Sequence, residues 1–137
     1  MAATLWAQAG TEGLETIRKE HDHVRRFEQA LDFSEAQLKA ARQLVRDAGS
    51  RTELERMLED VSGGAALALE SLRETGKKPS RLGKQYKKGE VKTREMERML
   101  NDLALALGVD DRPMAEKARD QVATTHEEFL LGVMTGK

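Results

Sequence analysis

The chain has 137 residues, of which 34% are charged and 4% aromatic, with a formal net charge of −1 and no cysteine. That length suits one domain with a real core. The missing cysteine excludes disulfides, thiolate catalysis and cysteine-ligated metals. The near-zero net charge excludes polyanion binding by the molecule as a whole.

Abundant Leu, Ala, Glu, Lys and Arg with only two prolines point to long helices. No apolar run reaches the ~18 residues a spanning helix needs. Residues 1–10 are small and apolar, with Leu5 and Trp6 the only bulky groups. They read as a short docking arm or a frayed turn, with Trp6 packed on the bundle. With no basic residue and too short an apolar stretch, they do not read as a signal peptide.

The organising stretch follows. Every seventh residue from Ile17 is aliphatic: Ile17, Val24, Leu31, Leu38, Val45. No Gly or Pro interrupts Leu14 to Ala48, so the pattern predicts one helix over 12–48, ~55 Å long. Thr11 is its expected N-cap, with Glu12 and Glu15 in the first turn. Leu14, Ile17, Val24, Phe27 and Leu31 form the front core face. Glu15–Lys19, Asp22–Arg26 and Glu35–Lys39 are candidate i,i+4 ion pairs. In the back half, Phe33, Leu38, Ala40, Ala41, Leu44, Val45 and Ala48 spread over an arc of roughly 160°. An arc that wide needs two neighbours. They are either two helices of this chain, or one helix and a second subunit seated on Phe33, Ala40 and Leu44. Ser34 with Gln37 also makes a capping box, which offers a break near Ser34 as an alternative.

Gly49 is the expected stop. Thr52-Glu-Leu-Glu55 reads as the capping box of a second helix over 52–75. Its stripe is Leu54, Leu58, Val61, Ala65, Ala68 and Leu72. Gly63-Gly64 sits inside that stripe, and with the neighbouring alanines it forms a small-residue patch open to close helix approach. The short connection makes the first two helices an antiparallel hairpin.

Residues 75–89, TGKKPSRLGKQYKKG, read as a loop. They carry Lys77, Lys78, Arg81, Lys84, Lys87 and Lys88 and no acid, with Leu82 and Tyr86 between them. A loop of that length is either functional or disordered. It is the candidate site for an anionic partner such as nucleic acid, phospholipid or an acidic protein, with Tyr86 as a stacking contact. The alternative is a solvated loop, or one lying on the acidic second helix.

A third helix is expected over 90–107, with Met96, Met99, Leu100, Leu103, Ala106 and Leu107 inward and Gly108 as its stop. Asp110-Asp111-Arg112-Pro113 starts a fourth over 112–134. Its face is Met114, Ala115, Ala118, Val122, Thr125, Phe129 and Val133. Leu130, Leu131 and Met134 lie off that face, so the last turn should be covered, with the Leu5-Trp6 arm the candidate cover. Most methionines fall on core stripes and read as filler.

The metal-like group is Glu20-His21-Asp22-His23. Glu20 and His23 have the Glu-x-x-His spacing of di-iron bundles, but a second copy is absent, since Ala123 stands three residues before His126. A mononuclear set from His21, His126 and Glu28 would need the first and fourth helices adjacent. No nucleophile triad, phosphate loop or dinucleotide turn is recognisable.

The sequence therefore predicts an all-α, antiparallel four-helix bundle in a single domain, with no metal, cofactor or enzymatic activity. The first expectation for function is a cytoplasmic interaction or scaffold module. It would be a homo-oligomer, with a dimer favoured because the long first helix would overhang the others. Anion binding through 77–88 ranks second and a metal- or ligand-binding bundle third.

Overall fold

A computed structural model describes residues 13–137, and these form an all-α bundle. Its four long helices are α1 (His23–Arg46), α2 (Arg51–Arg73), α3 (Gly83–Ala106) and α4 (Arg112–Thr135). A 3₁₀ turn, Pro79–Leu82, leads into α3, and a short helical segment at 13–18 precedes α1. Thr11, Glu12 and the Leu5-Trp6 arm lie outside the described residues.

The expected unbroken helix over 12–48 does not form. The chain turns back at 19–22, so that a Cβ on Gly13 would fall 2.5 Å from Phe33 Cε1. Tight turns close the first segment, Lys19 N–H to Thr16 O at 3.2 Å and Glu20 N–H to Ile17 O at 3.0 Å. Asp22 then caps α1 by accepting from the Arg25 N–H at 3.0 Å, the role its short carboxylate fills better than a helix interior. Arg26 fixes the reversal from inside. It is 6% exposed and donates to the Glu20 carbonyl at 2.7 Å and to Ser71 Oγ at 2.8 Å. Its ion-pair partner is Glu74 at 3.4 Å, not Asp22. Glu35 likewise pairs with Lys92 of α3 at 3.0 Å instead of with Lys39.

The chain does not break at Ser34. That residue is fully buried in mid-helix and donates its hydroxyl to the Val61 carbonyl of α2. Opposite it, a Cβ on Gly64 would lie 3.0 Å from both Ala30 O and Ser34 Cβ. At Gly64 the small-residue patch thus lets α1 approach α2 closely.

Gly49 is not the left-handed stop of α1. Ala48 takes that conformation at φ 52°, and the Gly49 N–H reaches back to Leu44 O at 2.9 Å in a Schellman pattern. A Cβ at 49 would stand 2.1 Å from Leu44 Cδ1, so any larger residue there needs the Leu44 side chain to move. Ser50, not Thr52, caps α2, accepting from the Glu53 N–H at 3.4 Å.

The loop expected over 75–89 does not run its full length. Only its first part is irregular, because α3 begins at Gly83 and not at residue 90. Leu82 and Tyr86 are 5% and 3% exposed, and they begin a stripe that continues through Gly89, Thr93, Met96, Leu100 and Leu103. Tyr86 lies over Gly132, where a Cβ would sit 2.5 Å from its ring, and Phe129 lies over Gly89, where a Cβ would sit 2.4 Å away. Phe129 also meets Phe27 and Tyr86 edge-on, at centroid separations of 6.2 and 5.8 Å.

At the other end of α3, Ala104 is buried and Ala106 exposed, the reverse of the expected placement for Ala106. Arg112 caps α3 by donating to Ala104 O at 3.0 Å and Leu107 O at 3.1 Å. On α4, Gly132 fills the inward position expected of Val133, which is 42% exposed.

The α1–α2 and α3–α4 hairpins are each antiparallel. They pack through α2 on α4 and, more lightly, α1 on α3. Neighbours across that seam run parallel, because Glu28 meets Lys88 and Glu35 meets Lys92 in ascending order. The four helices differ in length by at most one residue, at 24, 23, 24 and 24. The overhang that motivated a dimer seam is therefore absent among the described residues. Phe33, Ala40 and Leu44 are partly buried within the chain.

Candidate interaction surface at one end of the bundle

Four features converge at one end of the bundle: the 19–22 reversal, the end of α2, the start of α3 and the end of α4. The connection after α2 is shaped by Gly76 at φ 72° and by Pro79, which opens the 3₁₀ turn with Lys78 extended before it. The Ser80 N–H donates to Gly136 O at 3.2 Å, tying the connection to the end of α4.

This scaffold spreads the predicted basic residues over two elements. Lys77, Lys78 and Arg81 lie on the connection and 3₁₀ turn, and Lys84 and Lys87 on the outside of α3. All five are exposed, and among the described residues none forms an ion pair. Lys88 differs. It pairs with Glu28 of α1, and that hydrogen bond raises its pKa above the ordinary lysine value. Tyr86 is unavailable for stacking because its ring is in the core. Burial raises its hydroxyl pKa despite the opposing pull of Arg73 beside it.

A cavity of about 300 Å³ opens between the connection and α4, lined by Lys77, Lys78, Pro79, Leu131 and Lys137 among others. Arg73, paired with Glu128, also lines it, so with that pair neutralised its lysines dominate its charge. Beside it the last turn of α4 exposes Leu131 at 56%, Val133 at 42% and Met134 at 75%. The covering expected for this turn is absent among the described residues. Reading the sequence for charge alone missed this apolar half of the surface. The apolar excess of the last turn was its only signal.

The histidines do not assemble with Glu28. His21 is exposed at the reversal, His23 Nδ1 lies 2.7 Å from Arg26, and His126 Nε2 lies 2.9 Å from Glu90 on α3. Glu28 is engaged by Lys88, and α1 and α4 stand diagonally across the core. Among the described residues no three His, Asp or Glu side chains are grouped to hold a metal ion. No helix among them is long and apolar enough to cross a membrane.

A second groove of about 560 Å³ runs between α2 and α4 over Ser62, Gly63, Ala66 and Ala118. Glu55 and Glu59 on one wall face Lys117 on the other, so it has mixed charge. Comparison with family models, with curated proteins and with solved structures finds no match to this chain.

Proposed function

We propose that this chain is a non-enzymatic interaction module that presents the α2–α3 end of its bundle to an anionic partner. The observation that carries this reading is the exposure of Lys77, Lys78, Arg81, Lys84 and Lys87 together at one end, without ion-pair partners among the described residues. Exposed like charges repel, and a fold that gathers them gains only when an anion arrives. Several titratable groups elsewhere are caps or ion pairs, such as Arg112, Arg51–Asp111 and Arg56–Asp60.

Retention on a phosphate-bearing resin tests the reading. A chain of net charge −1 is held at neutral pH only through a local patch. Elution should shift steeply with salt. Lys77→Gln, Lys78→Gln and Arg81→Gln together should abolish retention, while the exposed set Lys39→Gln, Arg46→Gln and Arg98→Gln should leave it intact. Equal loss in both sets would show a net-charge effect and refute a localised site.

A further inference from the structure

We infer that the anionic partner is a phospholipid bilayer, docked against the end of the bundle with Leu131 and Met134 entering the headgroup layer. This rests on the anionic-partner reading above and deepens it. The observation is a coincidence of two patches. Five large hydrophobic side chains are exposed among the described residues, and Leu131, Val133 and Met134 share the last turn of α4. The other two, Leu105 and Val109, lie at the opposite end, near Asp102, Asp110 and Asp111. At the α2–α3 end, exposed aliphatic groups adjoin a cluster of exposed cations that form no ion pair among the described residues. Leu131 shares a cavity wall with Lys77, Lys78 and Lys137.

Charge complementarity alone would allow any polyanion. The apolar members decide between them. Single-stranded nucleic acid is held by aromatic platforms, and among the described residues the aromatic nearest this surface, Tyr86, is 3% exposed. Aliphatic side chains flanked by lysines match a bilayer interface instead. There the chains enter the acyl boundary and the long lysine stems keep their ammonium groups among the phosphates. The cavity of about 300 Å³ offers room for one headgroup phosphate beside Lys77, Lys78 and Lys137. Docking would be peripheral, since no described helix is apolar enough to cross a membrane.

The test is co-sedimentation of the whole chain with vesicles of phosphatidylcholine, alone or with about 30 mol% phosphatidylserine, at about 0.1 M salt. Binding is expected only to the anionic vesicles. Replacing Lys77, Lys78 and Arg81 by Gln should weaken it roughly 100-fold, as about 1 kcal/mol per basic residue implies. Leu131→Ser with Met134→Ser removes apolar groups that are already exposed, so folding is spared. It should weaken vesicle binding at least roughly tenfold and leave retention on the phosphate resin unchanged. Three results overturn the inference while the anionic-surface reading stands: resin retention without vesicle binding, vesicle binding indifferent to the Leu131/Met134 change, or displacement from vesicles by an equal charge of single-stranded oligonucleotide. Absence of binding to both resin and vesicles overturns both.

Discussion

Replacing Arg26 by Met should unfasten the reversal at 19–22. The guanidinium donates to Ser71 Oγ at 2.8 Å and to Glu20 O at 2.7 Å. It also lies 2.7 Å from His23 Nδ1 and 3.4 Å from the Glu74 carboxylate. These bonds are not of equal worth. Ser71 keeps its own donor bond to Leu67 O at 2.7 Å, so it loses only an acceptor contact. The Glu74 side chain is 48% exposed, and that ion pair contributes under ~1 kcal/mol after solvent screening. Hydrogen bonds to a charged group are worth ~1.5–3 kcal/mol each, and Met restores much of the buried stem's packing. The net loss should be about 2–4 kcal/mol.

Urea denaturation measures it. With m near ~2 kcal/mol/M, the midpoint should fall by about 1–2 M. Amides at 13–18 should gain hydrogen exchange before those of α4. Arg26→Lys should not rescue, because one ammonium cannot reproduce the fork of donors. A midpoint within about 0.2 M of the parent, or full rescue by Lys, would refute the assignment of Arg26 as the tie.

Three further outcomes follow from the same structure. Gly89→Ala places a Cβ 2.4 Å from the buried Phe129 ring; overpacking of ~1–3 kcal/mol should outweigh the helix gain of ~1 kcal/mol, whereas Gly83→Ala, with nothing within 4 Å, should be neutral or stabilising in the same melts. Burial raises the Asp60 pKa from 3.8 to about 6, against the opposing pull of Arg56. The folded state therefore holds the extra proton, and stability falls as pH rises between about 4 and 6, by on the order of 1 kcal/mol once solvent screening of this half-buried group is allowed for; Asp60→Asn should flatten that slope in pH-dependent urea titrations, and an unchanged slope would refute it. Ala48→Gly relieves a left-handed alanine at φ 52° and should raise the midpoint by up to about 1 kcal/mol in stability, while a fall would show that the αL strain is absent.

The class of the fold was legible because its signal is periodic. Leu54, Leu58, Val61, Ala65, Ala68 and Leu72 are all buried as their spacing requires. What escaped was decided by groups that a hydrophobic pattern does not count. Ile17 and Val24 keep heptad phase, yet they lie on opposite arms of a reversal whose cause is polar: an Asp cap and a buried arginine. The start of α3 was hidden in the same way. Between Leu82 and Met96 its inward face is Tyr86, Gly89 and Thr93, and two of these are not apolar. Glycine there reads as a breaker in sequence, yet it is the socket for Phe129. The candidate site was half visible, since a run of lysines announces itself. The aliphatic turn beside it is distant in sequence and is joined to it only by the fold.

Under the proposed docking, that juxtaposition would also account for the composition at the end of α4. A terminal turn with Leu131, Val133 and Met134 exposed would ordinarily draw chains into association. On the bilayer reading, the flanking lysines disfavour a second copy at the same face, and a surface that supplies negative charge and an apolar layer together is held more tightly than one that supplies charge alone. The proposed bilayer docking thus draws on both patches. Charge without an apolar layer leaves the aliphatic side chains in water, and an apolar surface without charge leaves the lysines to be desolvated unpaired. The double substitution at Leu131 and Met134 separates these terms, because it removes one patch and leaves the other in place.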